Sequence, residues 1–311
     1  MPDTDLQVVA DSWAGIQRVA ATPKPLSYFA GRTGFSAAFL GDAARAELPE
    51  LVHAHARRDV ARLADGSIEL KYQHFSTVQC MSRRMPFYSA CNLDGSTGKR
   101  VPRHDTWSYD GRIKKEHQML REAYGSQQDG KFSRGHMTRR QDPNWGPYPV
   151  ARRANIDTFF ATNACPQWQP FNEGLWGDLE DYILGNADGD DKRVSVFTGP
   201  FLRQDDPARF GIRIPRDFWK IVAFISEATG QLAAIAYVMS QGRYLDTGIA
   251  RDLEDFQMSQ RPLAFVEAES GLRFASLQGL DVLAGTDLGF VQPIRRSGDT
   301  RLPVNQAVNR A

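Results

Sequence analysis

The chain has 311 residues, of which 41% are hydrophobic and 24% charged, and its formal net charge is +1. These proportions suit a soluble globular protein and exclude a disordered or fibrous one. The longest apolar runs, Ile221 to Ile225 and Leu232 to Met239, fall far short of the roughly 20 residues a membrane-spanning helix requires, so no membrane partner is expected.

The opening run MPDTDLQVVADSWAGIQRVA lacks the basic start and apolar stretch of an export signal. Helical pieces are predicted around Asp5 to Ala20 and Leu48 to Ala64, joined by a segment containing Pro23, Pro25, Gly31, Gly34 and Gly41. Residues 1–66 therefore read as an N-terminal helical extension, a candidate regulatory or partner-binding element. His53 and His55 lie in the second piece, and two residues apart on a helix they point in different directions, which disfavours a shared metal.

From Ser67 the pattern becomes β. Strands are predicted at Ser67 to Val78 and Phe87 to Asn92, followed by a polar stretch to about Lys131. FSRGHM then leads into the Pro- and Gly-rich loop RRQDPNWGPYP, and a helical pattern resumes at Arg152 to Ala161. Asn172 to Leu184 is the clearest helix, with Leu175, Trp176, Leu179 and Ile183 on one face and Gly185 at its end. Strands follow at Val194 to Thr198, Phe218 to Ser226 and Leu232 to Ser240, then a helix at Pro262 to Ser270 closed by Gly271. Strands and helices alternate without an even βαβ rhythm, so the class is α+β with a mostly antiparallel central sheet flanked by helices. Residues 67–290 form the expected domain and 291–311 a C-terminal tail.

Cys80, Cys91 and Cys165 are widely spaced, with no CxxC pair, which argues against a disulfide framework or a structural zinc site. A reducing compartment fits best, and the cytoplasm is favoured. The near-neutral total charge conceals an asymmetry. Residues 71–153 hold 16 Lys and Arg against 7 Asp and Glu, giving that segment +9 and the remainder −8. Such a segment is a candidate face for a polyanion, although solvated or ion-paired arginines give the same count.

The stretch SRGHM at 133–137, with Asn163, Gln167, Asn172 and Glu180 downstream, carries the chemistry. Phosphodiester hydrolysis needs a base for water, a cation for the leaving oxygen and donors for the phosphoryl oxygens. His136 can accept a proton near neutral pH, and Gly135 beside it permits close approach. Magnesium keeps several waters, so one neutral ligand such as Asn172 suffices once phosphate adds another. Glu180 lies eight residues further on, about 12 Å along a helix axis. Taken singly, Asn172 also reads as a helix cap and Glu180 as an exposed carboxylate.

The ordered set RGH at 134–136, TNxxPQ at 162–167, and Asn172 followed by WxxLE at 176–180 resembles the sugar-non-specific DNA/RNA endonuclease family, built on the ββα-metal motif. FTGP at 197–200, IPRDFWK at 214–220 and the run from Glu267 to Phe274 support the resemblance, which covers roughly Ile68 to Phe274. It implies His136 as general base, Asn172 as the Mg2+ ligand, with Mn2+ a substitute, and Glu180 as a support for the ion's bound water. Arg134 and Arg84 are implied at the site or on the phosphate, with neighbouring Arg83 an alternative register for Arg84. Asn163, Gln167, Arg139 and Arg140 are candidate substrate contacts, a structural role being equally open for Asn163 and Gln167. Trp145 and Tyr148 could stack on bases or pack in the loop. The implied products carry 5′-phosphate and 3′-hydroxyl ends, and the implied partners are DNA and RNA, a second copy in a homodimer, and an inhibitor or regulator.

Where the family has DRGH, Ser133 replaces the aspartate and brings no charge. A catalytically weakened nucleic-acid-binding module is therefore the alternative. A cysteine hydrolase using Cys165 is disfavoured by Pro166 and by the absence of an oxyanion loop.

Overall fold

The computed structural model describes residues 22–285 apart from 105, 190–191 and 248–256, together with short strand segments at 6–8, 18–20 and 292–293. Its centre is an eight-stranded sheet. The strands are β1 (Leu70–Lys71), β2 (Phe75–Cys80), β3 (Met85–Asp94), β6 (Arg193–Pro200), β7 (Asp217–Ile225), β8 (Leu232–Ser240), β9 (Gln257–Arg261) and β10 (Gln292–Pro293). The order is β10-β9-β8-β7-β6-β3-β2-β1, and every pairing is antiparallel. A separate two-stranded ribbon, β4 (Ser133–His136) and β5 (Ala164–Gln167), leads into helices α2 (Gln169–Glu173) and α3 (Leu175–Gly189). Helix α1 (Tyr148–Asp157) lies between the two ribbon strands in sequence, and α4 (Leu263–Ser270) follows β9.

Both faces of the large sheet are buried, which is why its central strands read as nearly continuous apolar runs. Along β7, Phe218 and Val222 join Trp176, Leu179 and Ile183 of α3 in one core cluster. Trp219, Ile221 and Ala223 point the other way, to Leu263 and Val266 of α4. Helix α4 ends as expected at Gly271, whose φ of 67° is the left-handed conformation that closes a helix. There a Cβ would lie 2.4 Å from Cδ2 of His53, so His53 is a packing residue, stacked on His55 at 5.3 Å.

Two helical expectations fail. Within Asp5 to Ala20, Leu6–Val8 and Arg18–Ala20 pair as antiparallel strands, and residues 9–17 lie outside the described residues. Within Leu48 to Ala64 only Ala54–Arg58 is helical, and Glu50–Leu51 pairs with Leu272–Arg273. Long-range strand pairing outweighs a weak local preference in both places. Residues 22–66 also bond directly to the rest of the chain. Arg32 Nε binds Asp157 at 2.5 Å, Phe35 N binds Ser76 Oγ at 2.8 Å and Ser36 N binds Asn92 Oδ1 at 2.7 Å.

The predicted helix from Asn172 divides. Gly174, at φ −92° and ψ −116°, leaves the helical region, so Asn172 belongs to the short α2 and the long helix starts at Leu175. Gly185 does not end that helix, which runs to Gly189. No helix among the described residues is long and apolar enough to cross a membrane.

Candidate nuclease site

The ribbon sets the site. Ser133 pairs with Gln167, Arg134 with Pro166, Gly135 with Cys165 and His136 with Ala164. Gly135 is required because the Gln167 side chain lies across it: a Cβ there would sit 1.9 Å from Gln167 Oε1. Gln167 is fully buried, and neither of its amide atoms has a hydrogen-bond partner.

Past the ribbon, Asn163 fixes the chain that follows His136. Its Oδ1 accepts from Thr138 N at 2.8 Å, and its Nδ2 donates to the carbonyls of Thr138 at 2.9 Å and Thr158 at 3.0 Å. All of these bonds are buried, so Asn163 serves as a strut. The sequence left that role open beside substrate contact.

His136 ends β4 with its ring against Trp107, 4.8 Å between centroids, and edge-on to Phe159 at 5.0 Å. Its Nε2 is buried without a hydrogen-bond partner. Burial pushes the imidazole pKa well below the ordinary histidine value, and the charges of Arg103 and Arg140 push the same way. The guanidinium of Arg103 lies 5.5 Å from the Phe159 ring, and Arg140 holds the Val101 carbonyl at 3.1 Å, which ties down the segment carrying Arg103.

Glu180, one turn into α3 from Trp176, is buried. Its Oε1 lies 3.4 Å from Lys220 Nζ and its Oε2 3.7 Å from Arg139 Nε. Burial raises the carboxyl pKa, while the Lys220 and Arg139 charges oppose that shift. Arg139 also pairs with Asp181, so its guanidinium is turned to α3. Asn172 is half-buried, and its carboxamide makes no hydrogen bond among the described residues.

Arg84 and Arg134 converge on a different segment. Arg84 sits at φ 60° in the turn between β2 and β3, donates to Gln118 O at 3.0 Å and pairs with Glu122. Arg134 is buried and donates to Leu120 O at 3.1 and 2.7 Å, with its guanidinium over Tyr124. Arg83, the alternative register, is committed to Asp206 at 2.5 Å. Trp145 packs in the loop, 3.4 Å from the His74 ring, with its Nε1 donating to Asn92 O at 2.7 Å. The three cysteines are free and buried. Burial pushes the Cys165 thiol far up, which removes it as a nucleophile.

The residues present fit a magnesium ion. No group of three or more His, Cys, Asp and Glu among the described residues is arranged to hold a metal. Asn172 offers an amide oxygen and Glu180 a buried carboxylate paired with Lys220 and Arg139, oxygen donors of the kind a hard cation that retains most of its water takes. Sequence reasoning missed Arg103 and Lys220. The signal for Lys220 was present, as a lone charge inside the apolar strand DFWKIVAFI.

An antiparallel ribbon that ends in a half-buried histidine and runs into two successive helices, the first bearing an amide and the second a carboxylate, has the arrangement of the ββα nuclease class. The family profile described as DNA/RNA non-specific endonuclease matches residues 56–279, and the chain belongs to that family. It is 37% identical over 297 residues, 90% of its length, to uncharacterized protein y4fB of Sinorhizobium fredii. It is 27% identical over 125 residues, 39% of its length, to a protein named Nuclease from Nostoc sp.. The chain spans 44% of the length of each of these relatives. Among solved structures it is similar to a chain of the EndoG/EndoGI complex, reported for the mechanism of EndoG inhibition. That likeness has a TM-score of 0.51 at 21% identity and covers 66% of this chain and 84% of that one. It supports the endonuclease G-like α+β fold.

Proposed function

We propose that the chain is a magnesium-dependent endonuclease that hydrolyses DNA and RNA with little sequence preference. The observation that carries the reading is His136: an imidazole nitrogen buried without a partner, kept neutral at physiological pH by its surroundings, at the end of the ribbon that leads into the helices of Asn172 and Glu180. A neutral imidazole accepts a proton from water, and His136 does so here as general base. Asn172 would hold Mg2+, or Mn2+ in its place, through its amide oxygen, and Glu180 would support the ion's bound water. The ion, when bound, polarises the phosphate and stabilises the leaving oxygen. Departure of the 3′ oxygen leaves 5′-phosphate and 3′-hydroxyl ends. Arg103 and Arg140 steady the phosphates beside His136, and Arg84 and Arg134 hold the flanking segment 118–122 in place. Contacts made through phosphates carry no sequence information, which accounts for the weak preference.

A nuclease of this breadth needs control. We assign that control to an inhibitor, a regulatory partner, homodimer formation or confinement to a compartment, by analogy with the inhibited EndoG. Because residues 22–66 pack on the nuclease body and Arg18–Ala20 pairs with Thr106–Trp107, with Val19 in the core, the segment before Arg18 is the candidate for a partner-facing element. Its removal is expected to change assembly or toxicity and leave cleavage intact.

The test is cleavage of plasmid DNA and of single-stranded RNA by wild type and His136→Ala, with magnesium and then with EDTA. Cutting that requires both magnesium and His136 supports the reading. Folded wild type that binds nucleic acid but cuts nothing under Mg2+ or Mn2+ replaces it with a binding module, for which neutral Ser133 at the head of the ribbon is the cause to examine.

A further inference from the structure

We infer that Lys220 is a positioning residue for Glu180, and that a buried polar row across the central sheet holds Glu180 and the His136 segment in register. The inference rests on the nuclease reading above. Ser89 on β3, Thr198 on β6 and Lys220 on β7 are direct register partners, Ser89 with Thr198 and Thr198 with Lys220. They share one face and are each 1% exposed. That face is the one packed against α3, where Phe218 and Val222 join Trp176, Leu179 and Ile183 in the core.

An ammonium in such a place is costly unless paired, and Lys220 is fully engaged. Its Nζ donates to Thr198 Oγ1 at 3.0 Å and to Glu180 Oε1 at 3.4 Å, and lies 4.8 Å from the Trp176 ring centroid. At the other end of the row, Ser89 Oγ is hydrogen-bonded to Thr138 Oγ1. Thr138 lies two residues beyond His136, and its backbone is clamped by Asn163. The row therefore runs from the chain just past the proposed base to the carboxylate on α3. Arg139 closes the circuit from outside, binding Glu180 at 3.7 Å.

Lys220 lies within β7, which is paired along its length to β6 on one side and β8 on the other. Anchoring Glu180 to β7 fixes the carboxylate on that strand. A methionine at 220 preserves the length and apolar stem of lysine but leaves Glu180 with Arg139 alone.

The test compares wild type, Lys220→Met, Lys220→Arg, Glu180→Gln and the Glu180→Gln/Lys220→Met double variant. Each is checked for folding by circular dichroism. Two readouts are taken: kcat and KM on plasmid DNA, and the calorimetric affinity for Mg2+ alone. Loss of a residue that orients a metal's outer partners reduces activity or affinity by roughly 10- to 100-fold. Lys220→Met is expected to lose kcat in that range with KM little changed and to bind Mg2+ more weakly. Lys220→Arg should recover part of both, and the double variant should be no worse than Glu180→Gln. Additive losses in the double variant, or a folded Lys220→Met with wild-type kcat and Mg2+ affinity, overturn the inference. If Lys220→Met does not fold, Thr198→Val, which removes only the hydroxyl that steadies Nζ, is read the same way. Wild type that never cuts refutes the nuclease reading instead. In that case the Mg2+ isotherms of wild type and Lys220→Met still decide the inference, and equal affinities or no binding by either refute it.

Discussion

Gly135→Ala tests how tightly the ribbon is built. The added Cβ would meet Gln167 Oε1 at 1.9 Å, Cδ at 2.3 Å and Cγ at 2.6 Å, where ordinary contact starts at 3.4 Å. Gln167 has no exposed surface, so it cannot swing into solvent, and its backbone is paired to Ser133. Relief must come from spreading the ribbon, and overpacking of this kind costs about 3 kcal/mol, the upper part of the usual range. For a domain of this size each kcal/mol lowers Tm by roughly 2–4 °C, so a drop of about 6–12 °C is expected. Gln167→Ala removes the three clashing atoms together with two polar groups that have no partner, which offsets part of its cavity cost. The double variant should therefore melt well above the sum of the two single losses. Differential scanning calorimetry of the four proteins measures this coupling. A Gly135→Ala protein that melts with wild type, or strictly additive losses, would refute the close-packing argument.

Three further outcomes are expected. The Arg140 charge helps to depress the His136 pKa, so Arg140→Ala should raise it toward 6.5; because the base works only when neutral, the acid limb of the cleavage rate should move to higher pH, and an unmoved limb would count against His136 as the base. His74 is buried, and burial takes its pKa from 6.5 down to about 4. The unfolded chain then binds the proton first, so stability is full above pH 6.5, falls by about 3 kcal/mol as pH drops toward 4, and levels below that. Urea midpoints across this window should flatten in His74→Gln, and equal slopes would sink the assignment. Arg32→Ala leaves the Asp157 carboxylate, which is fully buried, without its cation; a loss of about 3–5 kcal/mol is expected in chemical denaturation, and a loss under 1 kcal/mol would show that residues 22–66 contribute little to the fold.

The parts of this fold that were legible in the sequence are those where local pattern and burial agree. Leu232 to Ser240 was bounded correctly because its apolar run lies in the middle of the sheet with a turn before it. The close of α4 at Gly271 was legible for the same kind of reason, since a left-handed closing residue is a local event. The strands at Arg18–Ala20 and Glu50–Leu51 were illegible because they pair with distant partners, Thr106–Trp107 and Leu272–Arg273. The break before Leu175 was hidden because residues 172–174 are Asn, Glu and Gly and add nothing to the apolar period, so nothing in the pattern separates them from the helix that follows. At the site, the order of His136, Asn163, Gln167, Asn172 and Glu180 was readable, but their surroundings were not. Arg139 lies beside Arg140 in the sequence, yet the first turns to α3 and the second acts on His136.

The same distinction changes the meaning of the basic segment. A charge of +9 over residues 71–153 suggests a broad cationic face, but several of its arginines are committed inside the protein. Arg83 holds Asp206, Arg84 holds Glu122, Arg112 holds Asp110, and Arg139 holds Glu180 and Asp181. These pairs are short-range and their fields largely cancel beyond a Debye length. Arg103 and Arg140 are the arginines whose charges act on the His136 ring, adding to the effect of its burial. Burial does most to lower the imidazole pKa and the two charges push it further the same way; on the proposed nuclease reading they also offer a phosphate a positive field beside it. A phosphate that enters brings negative charge to the same place and offsets the field that depressed the imidazole. If His136 is the base, as proposed, it is held neutral before substrate arrives and becomes a stronger proton acceptor once the phosphate is in place.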